Sequence, residues 1–593
     1  MTTQRDIFNT IFHTKLTSWT PLSAQHHDLF NEEELAVMER SNRTFRSEAR
    51  TVVLLSSENR FATAGGLGAV VKQLPVSLAE AGESVVLLTP LHRNNPVVQK
   101  AIATGALRER CTGLTVRICN YACIVCYYEE VDAQVPTWHI GVEGRFLAGE
   151  NPYGYTDPEA LLLDALVFCA VVPSVLEHLG ISEHVLFHAH DWECAPIAVF
   201  SRYAVISSVL KQVRTILTLH NSFDAPFPDR LKLRFFNKIF PGHTVLQSML
   251  PFFHGPLTSV STPFAHELRH DPLQRGFFAD HLQQLFRRNP PLGIENGMFG
   301  DPKFPFTTTE IEAAQKNNHG PILTKKKKWR TAFLTELRST DDPRIIGKLD
   351  SASLDDPTIP LFFMSGRFDL IQKGFDTVFA AFCALKPGSA QLFFTPTLHN
   401  GDDDLSFFSE VADRCRGSVV IWPFKIPVRQ YRTFLQGANF LLMPSLYEPF
   451  GAASEGFLHG TPVIARATGG LLAQIHPGSE FTVPALYSSL FPPALPRNRN
   501  GILYREQFPE REAQQLWRPL LEASLQQRGA NPLYRAIVAA AEGALSDACR
   551  VVADDQRYGA MILDGLLSVR EHSWEIAATK YRSVYDVAVS RGM

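Results

Sequence analysis

The 593-residue sequence carries little net charge: 57 lysines and arginines stand against 60 aspartates and glutamates, leaving −3. A balance this close to neutral points away from a nucleic-acid partner, and any bound diphosphate must be met by positive charge placed locally. A hydrophobic leader is also lacking. The first twenty residues set Arg5, Asp6 and Lys15 among scattered apolar positions, so no signal peptide is expected. The longest apolar run, Leu161 to Leu176, is broken by Asp164 and Pro173 and is short for a membrane span, so it reads as a buried helix. The nine cysteines form no even framework. Cys119, Cys123 and Cys126 lie closest together, but Val116 to Tyr128 reads as one mostly apolar strand, with Cys126 on the face opposite the other two. A second Cys/His cluster at metal-ligand spacing is missing, so no metal is expected and the thiols read as buried and reduced. That usage fits a reducing compartment, the cytoplasm. No short period recurs, which excludes a solenoid.

What the chain does have is length and 45% apolar residues, enough for at least two domains. Residues 1–48 are a polar-mixed leader in which Ile7, Phe8, Ile11 and Phe12 recur at helical spacing, as expected of a segment that docks on the main body. From Thr51 the pattern changes. Thr51-Val-Val-Leu-Leu predicts a buried strand, Val70 to Ala79 a helix and Ser84-Val-Val-Leu-Leu a second strand, a βαβ unit with Gly65-Gly66-Leu67-Gly68 at its turn. Strand-like runs at Val185 to His188, Thr215 to Leu219 and Leu257 to Ser261 extend a parallel sheet wrapped by helices. Asp301 to Thr358 reads as a connection with a helix around Trp329 to Leu337, its Lys325 to Lys328 run a solvated face. A second α/β series runs through Leu361-Phe-Phe-Met, Leu392-Phe-Phe, Val419-Val-Ile, Phe440-Leu-Leu-Met and Pro462-Val-Ile-Ala. The expected fold is α/β, two doubly wound Rossmann-like domains facing a central cleft, where the carboxyl ends of the strands would put a ligand.

Five constellations carry chemistry. Gly65 to Gly68 lets backbone approach a ligand closely and offers helix N–H groups to an anion, although its spacing matches neither the dinucleotide fingerprint nor the phosphate loop. His188-Ala-His190-Asp191-Trp192 and His220-Asn221 both stand at strand ends, so their polar groups converge on one edge. Gly366-Arg367 with Gln372-Lys373-Gly374 puts two permanent cations in one loop, as a buried diphosphate requires. The sharpest is Pro444-Ser-Leu-Tyr-Glu448-Pro-Phe-Gly451, followed by Glu455, by Gly460-Thr-Pro-Val-Ile and by Thr468-Gly469-Gly470-Leu471. It lodges Glu448 between a strand end and two glycine-bearing loops, a poor place for a merely solvated charge.

In this order, and with Val260-Ser261-Thr-Pro and Asn296-Gly297-Met298 between them, the motifs resemble the bacterial glycogen and plant starch synthases, glycosyltransferase family 5 with the GT-B fold. The resemblance covers about residues 50 to 590. It implies a leader at 1–48, an acceptor-side starch synthase catalytic domain at 49–345, a donor-side domain at 346–565 and a helix at 566–593 returning to the N-terminal domain. It implies transfer of glucose from ADP-glucose to the non-reducing end of an α-1,4-glucan with retention of configuration, the nucleotide sugar being a substrate and no cofactor being needed. Arg367 and Lys373 would hold the diphosphate. Glu448 would grip the donor glucose, His220 and Asp191 would line the sugar pocket, and Gly65, Gly66, Glu455, Thr468, Gly469 and Gly470 would hold the donor. The partners implied are glycogen, starch or maltooligosaccharide and the nucleotide sugar.

The sequence also departs from the family pattern. Thr63-Ala64 stand where a lysine precedes the first glycine pair, Ala69 replaces the aspartate after Gly-Gly-Leu-Gly, and Ala473 and Gln474 occupy the neighbourhood of an aspartate after Thr-Gly-Gly-Leu. Arg367 and Lys373 are one position further apart than usual in the family, as in eukaryotic glycogen synthases. The Glu448 to Glu455 interval is one shorter than the two-glutamate pattern of related retaining transferases. UDP-glucose as donor, another acceptor, and a catalytically weak glucan-binding paralogue therefore stay open as alternatives.

Overall fold

A computed structural model of the chain describes residues 4–21, 29–118, 121–299, 305–350, 356–398, 404–478, 481–491 and 499–591. The chain divides into two compact units. The N-terminal unit comprises Asn9–Arg269, Phe278–Gly297 and Trp574–Met593; the C-terminal unit comprises Met1–Phe8, His270–Phe277 and Met298–Ser573.

The N-terminal unit is built on β1 (Thr51–Leu55), β2 (Ser84–Pro90), β3 (Leu107–Ile118), β4 (Tyr121–Glu130), β5 (Thr137–Val142), β6 (Val185–His190), β7 (Val213–Leu219), β8 (Leu257–Ser259) and β9 (Leu292–Gly293). Their order is β3-β4-β5-β2-β1-β6-β7-β8-β9. β1, β2, β6 and β7 are near-continuous apolar runs because helices cover both faces of a parallel sheet. The chain leaves β1 toward β2 on one side and returns through β6 on the other, so the sheet reverses its winding between β1 and β6, where ligands bind in such sheets. Two expectations need correction. The sheet is mixed, since β4 runs antiparallel to both β3 and β5. Val116 to Tyr128 is not one strand either: it is the end of β3 and most of β4, with Ile118 opposite Tyr121, because an apolar run carries no mark of a reversal within it. Cys119 lies outside the described residues. Within β4, Cys126 is buried beside Leu91 and Tyr128 while Cys123 faces the other way, toward Val167.

The helix Leu67–Glu80 buries Val70, Val71, Leu74 and Leu78, each contributing about 1.5–3 kcal/mol. The helix Pro158–His178, capped by Asp157, is the one described helix long and apolar enough to cross a membrane, and most of it is buried. The last helix, Trp574–Arg591, packs on Leu67–Glu80, with Arg50 bonded to both Glu83 and Asp586. From the leader, the helix Glu32–Thr44, with its Asn31/Glu34 capping box, docks on β7 through Arg214, whose guanidinium donates to the Asn42 side chain and carbonyl.

The C-terminal unit is built on β10 (Ile346–Leu349), β11 (Leu361–Arg367), β12 (Gln391–Thr397), β13 (Ser418–Ile421), β14 (Phe440–Met443), β15 (Val463–Arg466) and β16 (Gly501–Tyr504). The order is β10-β13-β12-β11-β14-β15-β16, parallel except for β10 at the edge, and the winding reverses between β11 and β14. Its core is unusually aromatic, with Phe362, Phe375, Phe379, Phe394 and Phe408 in one cluster. The Asp301 to Thr358 stretch is more regular than expected where it is described: helices span Thr308–Gln315 and Gly320–Ser339. Nor is its lysine run wholly solvated. Lys326 is buried, and its Nζ donates to the carbonyls of Gln436 and Ala438 and to the Thr461 hydroxyl, because a helix face three to four residues wide turns one lysine of four inward. Among the described residues the cysteines depart from the reduced reading at one place, where Cys383 and Cys415, with Cα atoms 6.0 Å apart, are joined.

Candidate active site

In the N-terminal unit the site residues gather at the carboxyl ends of β1, β6 and β7. After β1 the buried Glu58 turns into the glycine-rich loop, where its Oε2 accepts the N–H groups of Ala64 (3.0 Å), Gly65 (3.2 Å) and Gly68 (3.1 Å). Its Oε1 accepts the Tyr153 hydroxyl at 3.2 Å. Burial pushes the Glu58 pKa up, and those four bonds pull it back. The loop is thus already wrapped around a carboxylate of the chain. A side chain at Gly68 would collide with Thr63, whereas Gly66 is exposed, has no atom within 4 Å of where a Cβ would stand, and donates no hydrogen bond among the described residues. Of the two glycines expected to meet the donor, Gly66 offers its N–H and Gly65 has given its own to Glu58.

His188 and His190 alternate with Ala189 at the end of β6, and Asp191 follows with φ +60°, a conformation a non-glycine residue holds only where its surroundings enforce it. The enforcement is visible. Asp191 Oδ1 accepts the His220 N–H at 2.6 Å and Oδ2 accepts the Asn221 amide at 3.1 Å, tying the end of β6 to the end of β7. His190 Nδ1 lies 2.8 Å from His220 Nε2, and His188 bridges Tyr585 (2.9 Å) and Thr218 (2.7 Å). Burial drives these imidazoles neutral: His188 and His220 are pushed down to about 3, and His190 falls well below its ordinary value through burial and the two flanking rings. Asp191, buried and near Glu58, is pushed up to about 8. Sequence reading brought His220 and Asp191 together correctly in space, but it missed Glu58 and Tyr153, which belong to no motif.

In the C-terminal unit the site forms at the carboxyl ends of β11, β14 and β15. Arg367 closes β11 and donates to Gln372 Oε1 at 2.7 Å and Asp369 Oδ2 at 3.2 Å. Gly374, at φ +57°, stands where a Cβ would come within 2.6 Å of the Pro444 carbonyl. That close approach lets Lys373 reach Glu448 at 2.5 Å, while Ser445 Oγ donates to the same carboxylate oxygen at 2.8 Å. Glu448 is buried and Lys373 partly open. Arg367, Lys373 and Glu448 thus share one strand-end cluster. The second glycine pair packs tightly on the Glu448 turn. A side chain at Gly469 would collide with the Glu448 carbonyl and one at Gly470 with Phe450, and the Gly470 N–H already bonds the Glu448 carbonyl at 3.0 Å. These glycines let β15's loop press on the Glu448 turn. Thr468 is buried beside them. Glu455, on the helix Ala453–Leu458, is half-buried and pushed up to about 7 by burial.

Two braces went unforeseen. Gln474 donates to the Phe450 carbonyl at 2.6 Å and accepts the Ser454 N–H at 2.9 Å, holding the turn between Glu448 and Glu455. Arg466, fully buried, bonds the Leu446 carbonyl at 2.6 Å and pairs with Glu506, while Arg505 bonds the Ala467 carbonyl at 2.8 Å and Asp271 at 2.6 Å. No motif marks them, since their partners are backbone atoms and residues far along the chain.

The starch synthase catalytic domain family matches residues 51–283, and a family 4 glycosyltransferase domain of conflict systems matches residues 328–527. The glycogen synthase of Alkaliphilus metalliredigens is 25% identical over 71% of this chain and 84% of its own length. That of Geobacillus stearothermophilus is 26% identical over 71% and 83%. The catalytic domain of Arabidopsis thaliana starch synthase IV superposes with a TM-score of 0.65 at 19% identity, covering 91% of this chain and 99% of the domain. The chain is a glycosyltransferase related to the glycogen and starch synthases. It has their GT-B fold.

Set against these synthases, the departures have local explanations. Thr63 and Ala69 stand where the resemblance led us to expect a lysine and an aspartate, one charge of each sign, so their joint absence would leave the net charge of the loop unaltered. The Thr63 methyl packs over Gly68. Gln474 shows how the turn after Glu448 is held here where the expected aspartate is missing.

Proposed function

We propose that the chain transfers glucose from ADP-glucose to the non-reducing end of an α-1,4-glucan with retention of anomeric configuration. The observation that carries this reading is the Lys373–Glu448 pair at the carboxyl ends of β11 and β14, with Arg367 in the same cluster. Cleavage of a nucleotide sugar builds negative charge on the leaving diphosphate and positive charge on the anomeric carbon. Arg367 and Lys373 supply fixed cations for the first, and the Glu448 carboxylate a fixed anion for the second. When the diphosphate takes Lys373, Glu448 is released from its ion pair to the sugar. Glu455, raised by burial to about 7, suits a hydroxyl-rich ribose better than a phosphate. The Arabidopsis starch synthase IV domain was solved with ADP and acarbose, which supports an adenine nucleotide and a glucan-like acceptor for this chain too. UDP-glucose is the alternative donor.

The test is release of nucleotide from ADP-glucose and UDP-glucose with glycogen as acceptor, with NMR of the new linkage. The expected result is faster turnover with ADP-glucose and an α-linked product. A β-linked product refutes retention, and faster turnover with UDP-glucose assigns the other donor. No turnover with either, together with tight glycogen binding, replaces the enzyme by a glucan-binding paralogue.

A further inference from the structure

The large apolar side chains exposed on the molecule are scattered aliphatics with one exception. Among the described residues, Phe223 is the single aromatic in that class, 49% exposed. Its position is not arbitrary. It follows β7 directly, three residues after His220, in the loop His220-Asn221-Ser222-Phe223-Asp224.

Both flanks of the residue are fixed. On one side the Asn221 side-chain oxygen accepts the Phe223 N–H at 2.7 Å, and the same amide donates to Asp191 at 3.1 Å. On the other side the buried Asp224 carboxylate accepts the N–H groups of Ala225 (2.9 Å) and Leu246 (3.0 Å) and meets His281 at 3.1 Å. The ring itself stands nearly perpendicular to Phe278, with centroids 6.3 Å apart at 79°. A phenyl ring held this firmly yet left half in water forgoes the burial that makes aromatics useful to a core. A tight backbone tether to Asp191 and His220 gives the ring a defined place beside the candidate sugar pocket.

We infer that Phe223 is a stacking platform for a glucosyl unit of the acceptor chain. The axial C–H face of a glucose ring is apolar, while its hydroxyls lie at the rim. A flat aromatic ring therefore covers the part of the sugar that gains from leaving water and leaves the hydroxyls solvated. The neighbouring neutral groups, His220 and Asn221, suit those hydroxyls and would repel neither. The inference rests on the reading of the protein as acting on an α-glucan and adds to it the residue that grips the acceptor.

Binding and turnover separate the two. Maltoheptaose binding, measured calorimetrically without any nucleotide sugar, is expected to weaken about tenfold in Phe223→Ala and to stay within about twofold of wild type in Phe223→Trp. In the steady state, Phe223→Ala is expected to raise the glycogen KM about tenfold while the nucleotide-sugar KM, kcat at saturating glycogen and Tm hold. Unchanged maltoheptaose binding in a folded Phe223→Ala overturns the platform and leaves the transferase reading standing. An equal loss in Phe223→Trp, or a matched rise in the nucleotide-sugar KM, also overturns it. Wild-type protein that binds no maltoheptaose and turns over no nucleotide sugar sinks the underlying reading, and the platform with it.

Discussion

The strand ends of the two units solve opposite electrostatic problems. In the N-terminal unit the groups at the strand ends are driven neutral: three buried histidines shed their protons, Asp191 holds on to its own, and the glycine loop has closed on an internal carboxylate. In the C-terminal unit the strand ends carry ion pairs, Lys373 with Glu448, Arg367 with Asp369, and Arg466 with Glu506. A neutral hydrogen-bonding surface suits an uncharged polyol, and a charged one suits a diphosphate. With a net charge of −3 over 593 residues, the anionic donor proposed for this chain would have to be met by local placement, as the Arg367 and Lys373 cluster could do.

The largest effect is expected where the charged half is broken at its centre. Glu448→Gln removes the carboxylate but keeps its shape, and kcat is expected to fall by about 10³-fold or more. Lys373→Ala is expected to lower kcat by about 10²–10³-fold, chiefly through the transition state and with a smaller change in the donor KM. Because the two side chains touch, the double variant should lose far less than the product of the single losses. Strictly multiplicative losses in a single-turnover assay would mean that the pair is incidental.

The neutral half is expected to respond to shape more than to charge. In Glu58→Gln the amide oxygen can still accept the N–H groups of Ala64, Gly65 and Gly68, so the melting temperature should hold and the donor KM should change no more than about threefold. Glu58→Ala leaves three N–H groups facing a hole and is expected to cost about 1–3 kcal/mol in denaturant unfolding. If Gln and Ala were equally harmful, the loop would depend on the charge of Glu58, and the contrast between the halves would collapse.

How much of this was legible beforehand follows the same division. Strands such as Thr51–Leu55 and Phe440–Met443 stand in the sequence as unbroken apolar runs, and the reading placed them to the residue. The β3–β4 reversal was not legible, and the two strands merged into one, because β3 has a mostly exposed face and Val116 to Tyr128 reads as one mostly apolar stretch. Among the candidate-site groups, the clustering of Arg367, Lys373 and Glu448 was legible because charged residues beside glycines at strand ends stand out in the sequence. Glu58, Gln474 and Arg466 were not, because each acts on backbone atoms, which leave no residue signature. Nor could the letters show that Gly469 and Gly470 serve close packing against the Glu448 turn, since a glycine that meets a ligand and one that meets its own backbone look alike.

The smallest effect tests a carboxyl of the C-terminal unit that burial inclines to keep its proton. Burial raises Glu455 from 4.5 to about 7, so its folded form prefers the proton more than the unfolded form does. The stability this contributes is fully present below pH 4.5 and is lost as the pH rises through 7. Glu455→Gln keeps the neutral form at every pH. Between pH 5 and pH 8 wild-type stability should therefore fall relative to Glu455→Gln by about 1–2 kcal/mol, less than the full shift because the carboxyl is partly open to water. Chemical denaturation at the two pH values reads this difference, and Asp191, titrating near 8 in both proteins, cancels from it. A difference of the same size should vanish on saturation with ADP if the carboxyl then faces the nucleotide. Parallel pH profiles for the two proteins would place Glu455 among the ionised groups and make the C-terminal half uniformly charged.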